Sequence, residues 1–181
     1  MKIRILMVTV ALSVIGNVQA APPLTGPSAR PAADSRAPAM DTDRAQVLAW
    51  TRELEAAPLA EDASAKRAWL MQWLKDVRGL KVYVCDVFGV LGEENQKLSS
   101  LMLQQYMFGS ASYLIEHPSM DGHAMAVQLA GVASAVNAYA VVRKQDPLQR
   151  VVHFDQLLDL QAKGELPEYI ESNVFAKCGK H

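Results

Sequence analysis

The chain has 181 residues, half of them hydrophobic and a fifth charged, with a formal net charge of −1. That balance excludes the basic excess of a nucleic-acid binder, and the length admits one domain with its own core.

The amino terminus reads as an export signal. Lys2 and Arg4 are followed by a run from Ile5 to Ile15 that is apolar apart from Thr9 and Ser13. Gly16 and Asn17 break the run, and Val18-Gln19-Ala20 places small residues where a signal peptidase needs them. The run is short against the roughly 20 apolar residues of a spanning helix, and no cysteine follows it to carry a lipid. Residues 1–20 are therefore expected to be removed between Ala20 and Ala21, leaving a protein of the bacterial periplasm or the medium, not integral to the membrane. Losing Lys2 and Arg4 leaves 16 basic against 19 acidic residues, a net charge of −3.

Residues 21–40 hold Pro22, Pro23, Pro27, Pro31 and Pro38 among small and polar residues. Proline removes backbone donors and disfavours helix in the preceding residue, so this stretch is expected to be a disordered Pro/Ala-rich leader.

From residue 41 to 181 the pattern predicts one helical domain. A first helix over 42–56 carries Val47, Trp50, Thr51 and Leu54 at helical spacing. A second, over 62–77, is striped by Trp69, Leu70, Trp73, Leu74 and Val77, with Asp62 or Ser64 as its cap and Gly79 beyond its end. Residues 80–91 mix strand propensity at Val82, Val84, Val87 and Val90 with helical spacing at Val84, Val87, Phe88 and Leu91. With no second strand to satisfy its backbone, a short helix is expected there.

A helix over 94–116 has Leu101, Gln105, Phe108, Ser112 and Ile115 on one face and ends at Pro118. The next, over 120–144, follows so closely that the two must be antiparallel neighbours. Its small residues Ala126, Ala130, Ala133, Asn137 and Ala140 recur every three or four positions and predict a close-packed seam against Gly109, Ser110 and Ala111. From Ala124 to Val142 it carries no charge, yet Gln128, Ser134 and Asn137 interrupt it, which favours a buried bundle helix over a membrane span. A helix over 151–163 ends at Gly164, and Pro167 opens a last one reaching Ser172. The expected architecture is all-α: an irregular single-domain helical bundle of about six or seven helices with a central antiparallel helix pair.

Cys85 and Cys178 are the only thiols, and an exported chain meets an oxidising compartment. They are expected to form a structural disulfide closing a loop valued at about 4.6 kcal/mol by chain entropy. A zinc half-site of Cys178 and His181 with Cys85 would compete for the same thiols and lacks a fourth ligand. His123 beside Asp121, His153 near Asp155 and His117 before Pro118 all sit at helix ends, where capping and the helix dipole explain them. Glu93-Glu94 reads as a dipole partner, and no nucleophile elbow, phosphate loop or zinc-protease motif occurs. No catalytic, cofactor or metal residues are assigned.

Arg67-Ala68-Trp69-Leu70-Met71-Gln72-Trp73-Leu74, leading to Cys85, and Gln105-Tyr106-Met107-Phe108-Gly109, followed by Gln128-Leu129-Ala130-Gly131, resemble an uncharacterised family of small exported bacterial α-helical proteins. The resemblance covers about half the chain and implies an independent domain, with no activity attached. The leading expectation is thus a non-enzymatic envelope protein that binds a protein partner. Two alternatives differ in the geometry they require. An enzyme would assemble its site from distant residues such as Glu94, Tyr106, His123 and Asp155, and an apolar-ligand or lipid carrier would have a cavity lined by Met102, Met107 and Phe108.

Overall fold

The computed structural model describes residues 36–85, 95–175 and 178, with side chains from residue 43 onward. The expected signal and its Ala20–Ala21 cleavage point, the leader up to residue 35, Glu93, Glu94 and His181 lie outside the described residues. Within them every regular element is helical: α1 (Arg36–Ala56), α2 (Ala63–Asp76), α3 (Gln96–Glu116), α4 (Met125–Gln145), α5 (Val152–Lys163) and α6 (Leu166–Ile170), which runs into a π-helical turn at Glu171–Phe175. The all-α bundle is as the sequence predicts.

Helix α1 starts six residues earlier than expected, so 36–40 belong to it and not to the leader. Pro38 falls in the first turn, where backbone N–H groups have no intrahelical partner to lose. Val47, Thr51 and Leu54 form its buried stripe. Asp62 precedes α2 without making a side-chain cap. Its carboxylate instead meets Lys66 at 2.7 Å, and Lys66 also reaches Glu53 of α1 at 2.6 Å.

Residues 80–85 are not helical. The backbone finds partners in side chains: the Tyr83 carbonyl accepts from Tyr106 Oη at 3.0 Å and from Gln128 Nε2 at 3.3 Å. That carbonyl is satisfied without a helix or a neighbouring strand. The remainder of the expected 80–91 helix lies outside the described residues.

Asn95 caps α3, its side chain accepting the Leu98 N–H at 3.1 Å. α3 and α4 run antiparallel. Gln105 bonds Ser134 while Ser110, further along α3, reaches back to Val127. α4 is long and apolar enough to cross a membrane by length and composition, but 56% of that stretch is buried inside the domain. Gly164 ends α5 at φ 75°, the left-handed conformation a glycine supplies at no steric cost. The N–H groups of Gly164 and Glu165 close the Gln161 and Leu160 carbonyls.

The core has two parts that share α3. On one side Met102 and Tyr106 pack with Val132, Tyr139, Phe154, Leu157 and Ile170 of α4 to α6. On the other, Phe108 packs with Val47, Leu54 and Leu70, flanked by Trp50 and Trp69 in an edge-on pair at 5.0 Å. Each fully buried Leu, Ile or Phe contributes about 1.5–3 kcal/mol, so both faces of α3 stabilise the fold.

Candidate functional site

Where α1, α3 and α4 meet, a groove of about 320 Å³ opens between Arg52 and Glu55 of α1, Ser112 and Tyr113 of α3, and Ala133 and Asn137 of α4. Its depth follows from small residues. Gly109 and Ala130 leave the α3–α4 wall without bulk, and the two backbones approach until a Cβ at Gly109 would lie 2.5 Å from Ser134 Cβ and 3.2 Å from the Ala130 carbonyl.

A chain of polar side chains runs through this junction. Gln105, 3% exposed, donates to the Thr51 carbonyl at 3.1 Å and to Ser134 Oγ at 2.9 Å. Ser134 Oγ donates to Glu55 Oε2 at 2.7 Å, Asn137 Nδ2 donates to Glu55 Oε1 at 2.8 Å, and Gln161 Nε2 donates to Asn137 Oδ1 at 2.7 Å. Glu55 is half-buried and makes no ion pair among the described residues. Arg52, one turn away, is held at 2.7 Å by Glu116 on the groove rim. The Thr51 and Ser112 hydroxyl oxygens are fully buried and have no hydrogen-bond partner among the described residues. A carboxylate offers about four acceptor sites, so the two bonds to Glu55 leave acceptor capacity to be filled here.

Such an arrangement can accept hydrogen bonds from a bound group. Ser134 Oγ already donates its hydrogen bond to Glu55, and Ser134 is 6% exposed at a helix crossing. The backbone N–H groups that could hold an oxyanion are spent in the helical ladder.

The residues singled out from the sequence fall elsewhere. Cys85 and Cys178 form a disulfide with Cα atoms 5.3 Å apart, and among the described residues no group of three metal-ligating side chains gathers. Tyr106 donates to the Tyr83 carbonyl and makes a short hydrogen bond to Gln128 Oε1; burial pushes its phenol up to about 12. The His123 ring stacks on the Tyr83 ring at 3.4 Å, while the His123 backbone N–H donates to Asp121 Oδ1 at 2.7 Å. Asp155 accepts from Tyr139 at 2.7 Å and pairs with Arg150 and Arg143. Burial raises its carboxyl, but these donors and charges outweigh that and hold it below the usual range. Tyr139 is pushed up to about 12, chiefly by burial. Met102 and Phe108 are core residues on opposite faces of α3, and neither lines the cavities described.

On α4, Ala126, Ala130 and Ala133 are half-buried, whereas Gly131, Ser134, Ala135 and Ala138 are fully buried. Ala130 and Ala133 instead line the groove. A Cβ at Gly131 would strike Ser110 Oγ and lie 2.7 Å from the Tyr106 ring. Glu55 was missed entirely. The available signal was the trio Gln128, Ser134 and Asn137 in an otherwise apolar helix, since buried polar groups require partners. No protein-family model, curated protein or solved structure matches the chain.

Proposed function

We propose that this is an exported, non-enzymatic protein of the bacterial envelope that works by binding a protein partner, and that the Glu55 groove is part of the contact surface. The observation that carries this reading is the groove itself: a half-buried carboxylate with no ion-pair partner among the described residues, at the crossing of three helices. Groups of this kind are costly to bury unless something completes their hydrogen bonds. Export is supported by the signal-like residues 1–20 and by the Cys85–Cys178 disulfide, which suits an oxidising compartment.

Affinity capture of the mature protein from its own envelope fraction tests the reading. One stoichiometric protein is expected with the parent, lost when Ala133→Trp fills the groove of a variant that still melts cooperatively. Undiminished capture by that variant rejects the groove as the contact. The carrier alternative has its own observation, a 390 Å³ cavity lined by Leu80, Tyr83, Leu114, Ile115 and Met120 with Arg44 and Lys81. Native mass spectrometry that finds a bound lipid would favour it.

A further inference from the structure

We infer that the Glu55 groove receives an organic cation, an ammonium or guanidinium group, and that on the partner-binding reading above this group is a lysine or arginine side chain of the bound protein. Four observations converge. Glu55 brings a negative charge to the groove, and no Lys, Arg or His among the described residues pairs with it. Its two oxygens accept one hydrogen bond each, from Ser134 and Asn137. Both donors are neutral, so they orient the carboxylate without cancelling its charge. Gly109, Ala130 and Ala133 line the same groove with little bulk and leave room in it for an entering group.

The chemistry of the missing group follows from this inventory. An ammonium has three donors and no acceptor, a guanidinium five donors and no acceptor, and both match a site whose unfilled capacity is acceptor-rich. An anion would meet Glu55 unfavourably, and a purely apolar group would leave the carboxylate's remaining acceptor capacity unmet. The volume of 320 Å³ lies at the small end of the ligand-pocket range of about 300–1,000 Å³, which suits one side chain or a small amine. At the rim, Glu116 is engaged by Arg52, so that pair leaves Glu55 as the charge an incoming cation would meet.

The test is an amide NMR titration of the folded protein with blocked lysine, blocked arginine and blocked norleucine amides, and with butylammonium. The cationic probes are expected to shift Glu55, Ser112, Ser134 and Asn137 saturably, while norleucine does not. Glu55→Gln should weaken cation binding about tenfold or more, the value of one charge-assisted hydrogen bond. Tighter binding of blocked lysine than of butylammonium assigns the cation to a protein side chain; the reverse assigns it to a free amine. Should Glu55→Gln fail to fold, Ala133→Lys provides the second route by supplying the ammonium from within the groove. It is expected to melt like the parent and to abolish probe binding. Equal response to norleucine, no saturable shift, or unaltered binding in Ala133→Lys overturns the inference. Partner capture that persists in Glu55→Gln but is lost in Ala133→Trp would reject the cation and leave the binding reading standing.

Discussion

Gly109→Ala is a perturbation whose sign separates close packing from simple helix propensity. Replacing a mid-helix glycine by alanine normally stabilises a helix by about 1 kcal/mol. Here the added methyl would sit 2.5 Å from Ser134 Cβ and 3.0 Å from Ser134 Oγ, whereas carbon atoms pack at about 3.5–4.0 Å. The helices must separate by about 1 Å at this point. Overpacking costs about 1–3 kcal/mol, and displacing Ser134 weakens its bonds to Gln105 and Glu55 at about 0.5–1.5 kcal/mol each. The net expectation is a loss of about 1–2 kcal/mol, with the melting midpoint falling by roughly 3–6 °C. Gly109→Leu should destabilise further. Urea denaturation and thermal melts measure both, and the cycle with Ser134→Gly should show positive coupling, because removing that Cβ makes room for the methyl. A Gly109→Ala protein that melts at or above the parent temperature would refute the close approach of α3 and α4.

Three further outcomes follow from other parts of the fold. Reduction of Cys85–Cys178, which closes a loop spanning 93 positions, should lower stability by about 2–4 kcal/mol; identical urea midpoints with and without reductant would count against any stabilising role. Tyr106 and Tyr139 are both raised to about 12 in the folded state. The stability tied to their neutral forms is complete below about pH 10 and is lost as pH rises toward 12, so 295 nm absorbance should show two of the five tyrosines ionising only as the fold is lost. Asp155 is held below its ordinary 3.8, so its contribution is present above that pH and lost as pH falls below it. Asp155→Asn should melt lower at pH 7 and show a flatter acid limb under pH 4, and matching acid limbs would sink the assignment.

Much of the architecture was legible because its punctuation is chemical. Pro118 and Gly164 mark breaks that the backbone obeys, and Leu54, Leu70 and Phe108 fall where helical spacing puts them. The rotational phase of α4 was harder to read. A helix rich in alanine and valine on every side gives no contrast between faces, so a seam through Ala126, Ala130 and Ala133 looked as good as the buried face through Gly131, Ser134 and Ala138. Residues 80–85 misled for a different reason: the Tyr83 carbonyl is satisfied by Tyr106 and Gln128, two side chains distant in sequence. Glu55 could not be read as part of a site because it acquires meaning only when Ser134 and Asn137 arrive from some 80 residues away.

The polar chain from Gln105 through Ser134, Glu55 and Asn137 to Gln161 has a consequence for how the bundle chooses its structure. Helix α4 rotated or slid by a turn would lose the close fit at Gly109 and Gly131, and it would lose this polar chain as well. Any such displacement would take these bonds from a carboxylate, three amides and a hydroxyl, at several kcal/mol of lost hydrogen bonding. The chain therefore acts as a key for axial register, much as a single buried asparagine selects the alignment of a coiled coil. Glu55 serves both ends of that arrangement: it locks α1 to α4, and it faces the groove.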